Sequence, residues 1–348
     1  MKLFKQIIII LVVFFKTETL FSQNNLFDVD NIKIEKNNNI TNDALANNAI
    51  KKGFNQLTKK ILLKDDSKKL LDLNFSSIKQ LVTYYQITSI SKEKDNKEIL
   101  NFNIRFDKNK IHDLFYKKGI SYSEILKKEL YILPIIVRNN EIYIFNSNFY
   151  YKNWNIVYEN DLIEFILPLE NIEIIKYIND YKTNLINLDV VKLFTGYSNK
   201  NLAFVLIDDN KNDVKKIHIK SVIEKKKISK NLFFDKQNKL INNFDENVII
   251  EIKKELINLI KSENLIDIRT PFFLNAKLNL SKKSNLVRLN SIIEKIDSIE
   301  NIYVQEFNKD YMNLRIKYLG KLEKIISQLK KENIDLQLVN DQWIIKTL

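Results

Sequence analysis

The sequence predicts an α+β fold assembled from tandem small modules, α/β in the centre and α+β at either end. Two observations carry this. Stretches with apolar residues at helical spacing alternate along the chain with stretches of strand period. The residues from 269 to 348 then read strand–helix–strand–strand–helix–strand, the split βαβ order of ferredoxin-like modules.

The first residues have the parts of a secretory signal. Lys2 and Lys5 precede nine unbroken apolar residues, Ile7 to Phe15, and the uncharged Ser22-Gln23 follows. Nine helical residues rise only about 14 Å, roughly half of a hydrocarbon core. Lys16 and Glu18 interrupt any extension through Leu20 and Phe21. Cleavage is therefore expected at Ser22, Gln23 or Asn24, with residues 1–23 as signal peptide and the periplasm as destination. No later stretch approaches the roughly 18 consecutive apolar residues of a membrane span. The chain has no cysteine, which excludes a lipoprotein anchor, disulfides and thiolate chemistry.

An N-terminal α+β domain is expected over 24–126. A short alternating segment (Val29, Ile32, Ile34) precedes a helix over 43–61, capped by Thr41 or Asn42. Ala46, Ala49 and Gly53 on its stripe would let it approach its packing surface closely. A second helix is expected over 76–86. Strands are expected over 87–90 and 99–106, where Phe102, Ile104 and Phe106 alternate with polar residues. Asn109 is expected to cap a third helix, which Gly119 ends.

A central α/β domain is expected over 127–268. The run Tyr131 to Val137 is apolar enough for a strand buried on both faces, although Pro134 argues for an edge or a bulge. Asn139-Asn140 turns the chain into Ile142 to Phe145. Further strands are expected over 162–169, 202–207, 217–223 and 228–234, and helices over 185–194 and 248–260. The C-terminal domain, 269–348, has strands over 273–280, 302–307 and 311–319, helices over 285–296 and 321–331, and a closing hairpin of 336–339 and 343–348.

The formal charge is +13, of which about +11 lies beyond the signal. The excess is lysine, spread along a chain rich in Asn and Ile, a bias typical of AT-rich codons. Composition accounts for it better than an acidic partner such as anionic lipid, lipopolysaccharide or nucleic acid does, and nucleic acid is not among the expected ligands. Only four glycines occur, none close to another, so no glycine-rich phosphate loop exists. Nucleophile elbows and zinc-protease spacings are absent. His112 and His218 stand far apart in sequence, on a helix and a strand, without a neighbour at ligand spacing.

Two groups of residues remain. Asp208, Asp209 and Asp213 follow an apolar strand, where α/β proteins place functional groups, and would suit a divalent cation. The intervening Asn210, Lys211 and Asn212 favour a polar turn over a cation site, and Asp65-Asp66 reads as a solvated loop. The aromatic stretch Phe149, Tyr150, Tyr151 and Trp154, with Lys152 among the rings, is a candidate partner-binding surface, because aromatic anchors dominate such contacts. Packing inside the protein would select the same letters. Lys225 to Lys227 read as a solvated hairpin tip.

The order of these features resembles the DUF2066 family of exported bacterial proteins. A signal precedes an Ala-containing helix (Ala44 to Ile61), then come Tyr84-Tyr85-Gln86 and the Phe102-Asn103-Ile104-Arg105-Phe106-Asp107 strand with its helix to Gly119. The apolar strand from Leu130, a tryptophan-containing stretch and a C-terminal βαββα unit follow. Family members carry Leu-Thr-Gly near the end of the first helix. This chain reads Leu57-Thr58-Lys59 there, without the glycine. The family's function is uncharacterised, so the resemblance implies export and architecture but no catalytic residue or cofactor.

Together these features lead to the expectation of a non-enzymatic periplasmic binding or assembly-accessory protein, its partner an envelope protein or glycan. The alternatives are a metal-dependent hydrolase using the aspartates, and a basic peripheral protein that adheres to anionic membrane or lipopolysaccharide.

Overall fold

The computed structural model describes residues 26–36, 41–92, 98–125, 128–158, 162–211, 214–235, 243–280, 289, 292, 296 and 298–347. The expected signal segment and Asp213 lie outside them. The chain is a mixed α+β protein whose described residues form sheets of three, six and five strands and a two-stranded ribbon. Its contacts divide into two units. One comprises residues through 59, 68–121 and 267–348, and the other 60–67 and 122–266.

In the first unit β1 (Asp28–Lys36) leads to α1 (Asn42–Ile61), and Thr41 Oγ1 caps α1 by accepting from Ala44 N at 3.3 Å. The short α2 (Lys64–Lys68) belongs to the other unit, and it holds Asp65 and Asp66 in its first turn rather than in a loop. Next come α3 (Phe75–Gln80), β2 (Val82–Lys92), β3 (Glu98–Phe106) and α4 (Lys108–Lys118). The sheet order is β1–β3–β2, antiparallel throughout. A Cβ on Gly53 would lie 2.8 Å from Ile32 Cδ1 and 2.9 Å from Ile104 Cδ1, so the small stripe of α1 does admit close approach to β1 and β3.

Two expectations here are corrected. The helix expected over 76–86 stops at Gln80, and the β-branched and aromatic run from Val82 pairs with β3 instead, sheet pairing overriding helical spacing. Asp107, not Asn109, caps α4: its carboxylate accepts from Asn109 N at 2.9 Å and Lys110 N at 3.2 Å. Gly119 ends α4 as expected, with a φ of 60° that favours glycine.

The second unit begins with β4 (Tyr122–Ser123), β5 (Lys128–Arg138), β6 (Glu141–Tyr143), α5 (Phe149–Asn153) and β7 (Ile163–Ile166). It continues with α6 (Ile172–Asp180), α7 (Val190–Leu193), β8 (Asn201–Asp208), β9 (Val214–Ile223), β10 (Lys226–Asp235), α8 (Phe244–Ser262) and β11 (Leu265–Ile266). The sheet runs β10–β9–β8–β5–β6, with β7 also on β5. β5 is parallel to β8 and β7, and the other pairs are antiparallel. One face carries Val205, Ile207 and Ile219 into a core with Ile249, Ile252 and Leu256 of α8. The other carries Leu133, Ile135 and Phe204 into a core with Ile178, Leu188 and Leu193. β5 and β8 are thus buried on both faces, which explains their unbroken apolar sequence. The unit's two ends meet in a ribbon, Tyr122 opposite Ile266 and Ser123 opposite Leu265.

Pro134 lies in the middle of this sheet at a local edge. β7 pairs with residues 128–131 of β5 and β6 with 136–138, so the stretch holding Pro134 faces no strand among the described residues on that side. Two-residue left-handed turns close the hairpins, Asn139-Asn140 with φ of 52° and 60°, and Glu224-Lys225 with 48° and 67°. The single helix expected over 185–194 is instead a 3-10 turn (Leu185–Asn187) followed by α7. The break is local: Leu188 turns extended and Asp189 Oδ1 starts a new helix by accepting from Val191 N at 2.8 Å. α6 has no counterpart among the sequence expectations, although Asn171 caps it and Ile174, Ile175 and Ile178 have helical spacing.

The C-terminal part of the first unit contains β12 (Phe272–Asn279), β13 (Ile299–Phe307), β14 (Tyr311–Tyr318), α9 (Leu322–Lys331), β15 (Ile334–Val339) and β16 (Gln342–Thr347). Of the helix expected over 285–296 only Leu289, Ile292 and Ile296 are described, and all three are buried with Leu314, Ile325 and Ile345. The sheet order is β13–β14–β12–β16–β15. A split βαβ pattern places the strand after α9 beside β12. Here β16 takes that place, parallel to β12, and β15 lies outside it, because the Asn340-Asp341 turn folds the closing hairpin back. No helix among the described residues is long and apolar enough to cross a membrane.

Candidate functional site

The aromatic stretch owes its position to Asn148. This buried amide accepts through Oδ1 from Tyr150 N at 2.9 Å and Tyr151 N at 3.4 Å, capping α5. Its Nδ2 donates to Pro134 O at 2.8 Å and Tyr143 O at 3.3 Å, which fastens α5 to the local edge of β5. Tyr150 and Trp154 consequently point into the core, where Trp154 meets Phe165 edge to face. Lys253 of α8, itself buried, lies over the Trp154 and Phe165 rings at 5.8 and 5.2 Å. Its Nζ donates to Val157 O at 2.7 Å and Tyr158 O at 3.0 Å.

Of the four aromatic residues singled out in the sequence, Tyr150 and Trp154 are fully buried. Tyr151 is half-buried, its hydroxyl donating to Pro168 O at 2.7 Å. Phe149 is 40 % exposed, and the same stretch presents Ile156 at 76 % and Tyr158 at 39 %. The outward set is therefore Phe149, Ile156 and Tyr158, and the last two were missed by sequence reasoning. Their signal was weak, because Ile156 and Tyr158 stand in a turn without periodicity.

Beneath α5, at the carboxyl ends of parallel β5 and β8, lies a charged cluster. Lys215 of β9 is buried, donates to Tyr150 Oη at 2.9 Å, pairs with Asp245 in the first turn of α8, and has Asp209 at 3.6 Å. Arg138 closes the cluster from the end of β5 with its Nη2 at 2.7 Å from Asp209 Oδ2. Tyr150 donates to Asp245 Oδ1 at 2.8 Å. Burial, with Asp245 beside it, pushes the Tyr150 phenol far above its ordinary range, so it stays protonated. The Asp209 hydrogen bonds raise the pKa of Arg138 further. Two cations thus face two carboxylates, and Lys215 is enclosed away from solvent. The arrangement ties four elements together, with Lys215 and Asp209 enclosed and the Asp245 and Arg138 side chains reaching solvent.

The candidate aspartates do not converge. Strand alternation sends Asp208 and Asp209 to opposite faces. Asp208 Oδ1 accepts from Asn210 N and Nδ2 in a local turn, Asp209 joins the cluster, and Asp213 lies outside the described residues. No group of three or more His, Asp or Glu at metal-binding distances occurs among the described residues. His112 is buried in the first unit with Nδ1 at 3.4 Å from Glu300, and His218 in the second unit has Nδ1 at 2.6 Å from Asn231 Oδ1. Sequence reasoning missed Lys215, although strand period places it on the inward row of Ile217 and Ile219. Comparison of the chain with family models, with curated proteins and with solved structures returned no match.

Proposed function

We propose that this protein is an exported, non-enzymatic binding or assembly-accessory factor of the cell envelope, akin to the DUF2066 proteins, that contacts a protein partner through Phe149, Ile156 and Tyr158. One observation carries the reading: three apolar side chains are held outward within ten residues of chain whose intervening Tyr150 and Trp154 are locked in the core. Rigid, rooted aromatic anchors lose little conformational freedom on binding, which is what dominant contact residues require. The charge-balanced cluster beneath them, with Lys215 and Asp209 enclosed, is in keeping with a structural role. The C-terminal sheet is read as a ferredoxin-like layer enlarged by the inserted β16, an architecture compatible with a second binding module.

Crosslinked affinity purification of the tagged full chain from its native envelope, at two salt concentrations, tests the reading. A defined protein retained at both is expected, and the Phe149→Ala/Ile156→Ser variant should recover it roughly tenfold less well while keeping the parent's circular dichroism. Equal recovery by the folded variant would overturn it.

A further inference from the structure

We infer that the outer face of the β9–β10 hairpin is a docking face for an anionic lipid surface, a contact separate from the protein-binding reading above. The hairpin forms one edge of the six-stranded sheet. On its inner side Ile217, Ile219, Ile228, Leu232 and Phe234 join the α8 core. The outer side presents Lys216, His218 and Lys220 from β9 and Lys227, Ser229, Asn231, Phe233 and, at its end, the carboxylate Asp235 from β10. Among the described residues the cover on this side extends to Lys220, whose Nζ donates to Ile186 O at 3.2 Å and Leu188 O at 3.0 Å, and Lys216, Ser229, Asn231 and Phe233 are exposed.

The two sides differ in how their lysines are compensated. Lys226 and Lys230, on the inner side of β10, are paired with Glu263 at 2.6 Å and Glu255 at 3.3 Å. Lys216 and Lys227 on the outer side, and Lys225 in the turn, make no ion pair among the described residues. Two of the nearby carboxylates are turned to other tasks. Asp208, opposite Lys216 in the register, accepts from Asn210, and Asp189 caps α7. Phe233, 66 % exposed, stands opposite Lys216.

Six of the ten pairs of the ladder, Val214 opposite Asp235 to Ile219 opposite Lys230, lie beyond that cover, an open length of about 20 Å. Uncompensated amines along the hairpin, with one ring free to enter the acyl boundary, match an anionic headgroup layer over hydrocarbon. A single ring offers no succession of stacking platforms, which a single-stranded nucleic acid would use.

Sedimentation of the full chain with phosphatidylglycerol/phosphatidylcholine vesicles and with phosphatidylcholine vesicles tests the assignment. Binding only to the anionic vesicles, weakened by salt, is expected. Lys216→Glu/Lys227→Glu should lower it at least roughly twentyfold, at about fivefold per cation lost. Lys117→Glu/Lys118→Glu, the same change of net charge on α4, should leave it within about twofold, and Phe233→Ser should lower it several-fold. The inference is overturned by absence of binding, by equal binding to both vesicles, by equal losses in the two charge variants, or by complete competition from single-stranded DNA. Circular dichroism identical to the parent qualifies each variant for comparison.

Discussion

Replacing Asn148 with alanine removes the acceptor for Tyr150 N and Tyr151 N together with the donor to Pro134 O. A lost cap and a buried carbonyl without its partner together predict a loss of about 3 kcal/mol, measurable by urea unfolding. Lys215→Met should cost a similar ~3–5 kcal/mol, because Asp245 and Asp209 lose the cation between them. Adding Asp245→Leu should recover only a small part of that loss, since it removes the unpaired carboxylate but strips the buried Tyr150 hydroxyl of its remaining partner. The inward position of Lys215 is legible from strand alternation. Its partners are not, because Arg138 and Asp245 reach it only through parallel pairing and the docking of α8, both distant in sequence. Tyr150 and Trp154 show the same limit: their letters suit a surface or a core, and the amide of Asn148 decides.

At the level of elements, α1 depends on Gly53. Gly53→Val should destabilise by about 2 kcal/mol, as overpacking against Ile32 and Ile104 exceeds any helical gain. The close approach is legible from Ala46, Ala49 and Gly53, as are both buried strands and the hairpin turns, because apolar runs and Asn-rich turns are local signals. The boundaries that failed were those where two local preferences compete. Val82 to Thr88 satisfies a helical stripe and a strand alike, and its pairing with β3 settles the matter. Residues 185–194 carry Asp189 inside an apolar stretch, and its capping carboxylate splits the helix in two. The place of β16 beside β12 has no local signal at all, since a hairpin's side of attachment follows from the sheet it joins.

Across the whole molecule, two titrations, one half-buried and one buried, shape how stability follows pH. Glu300 is hydrogen-bonded by His112 and Lys317, which together hold it down to about 2. Its contribution is present above the ordinary carboxylate value and is lost as pH falls toward 2, so the unfolding midpoint should drop over that range and Glu300→Gln should flatten the drop. Lys261 behaves oppositely. Burial lowers its pKa from 10.5 to about 8 while its Nζ donates to Leu62 O at 3.0 Å. Between those values the unfolded chain holds the proton and the folded one does not, so stability should rise with pH by on the order of 3 kcal/mol. Lys261→Met should abolish that rise in urea titrations.

The ribbon of β4 and β11 brings together the two chain ends of residues 122–266. Cutting at both ends therefore yields a cassette whose new termini lie one strand spacing apart, about 5 Å. Such a piece should transplant into a surface turn of an unrelated host without spacers, as domain insertions do, once the buried Ile61 and Leu62 of the same unit are replaced or carried along. It leaves behind only the eight residues 60–67, with the bonds from Lys261 to Leu62 and from Lys64 to Asn258.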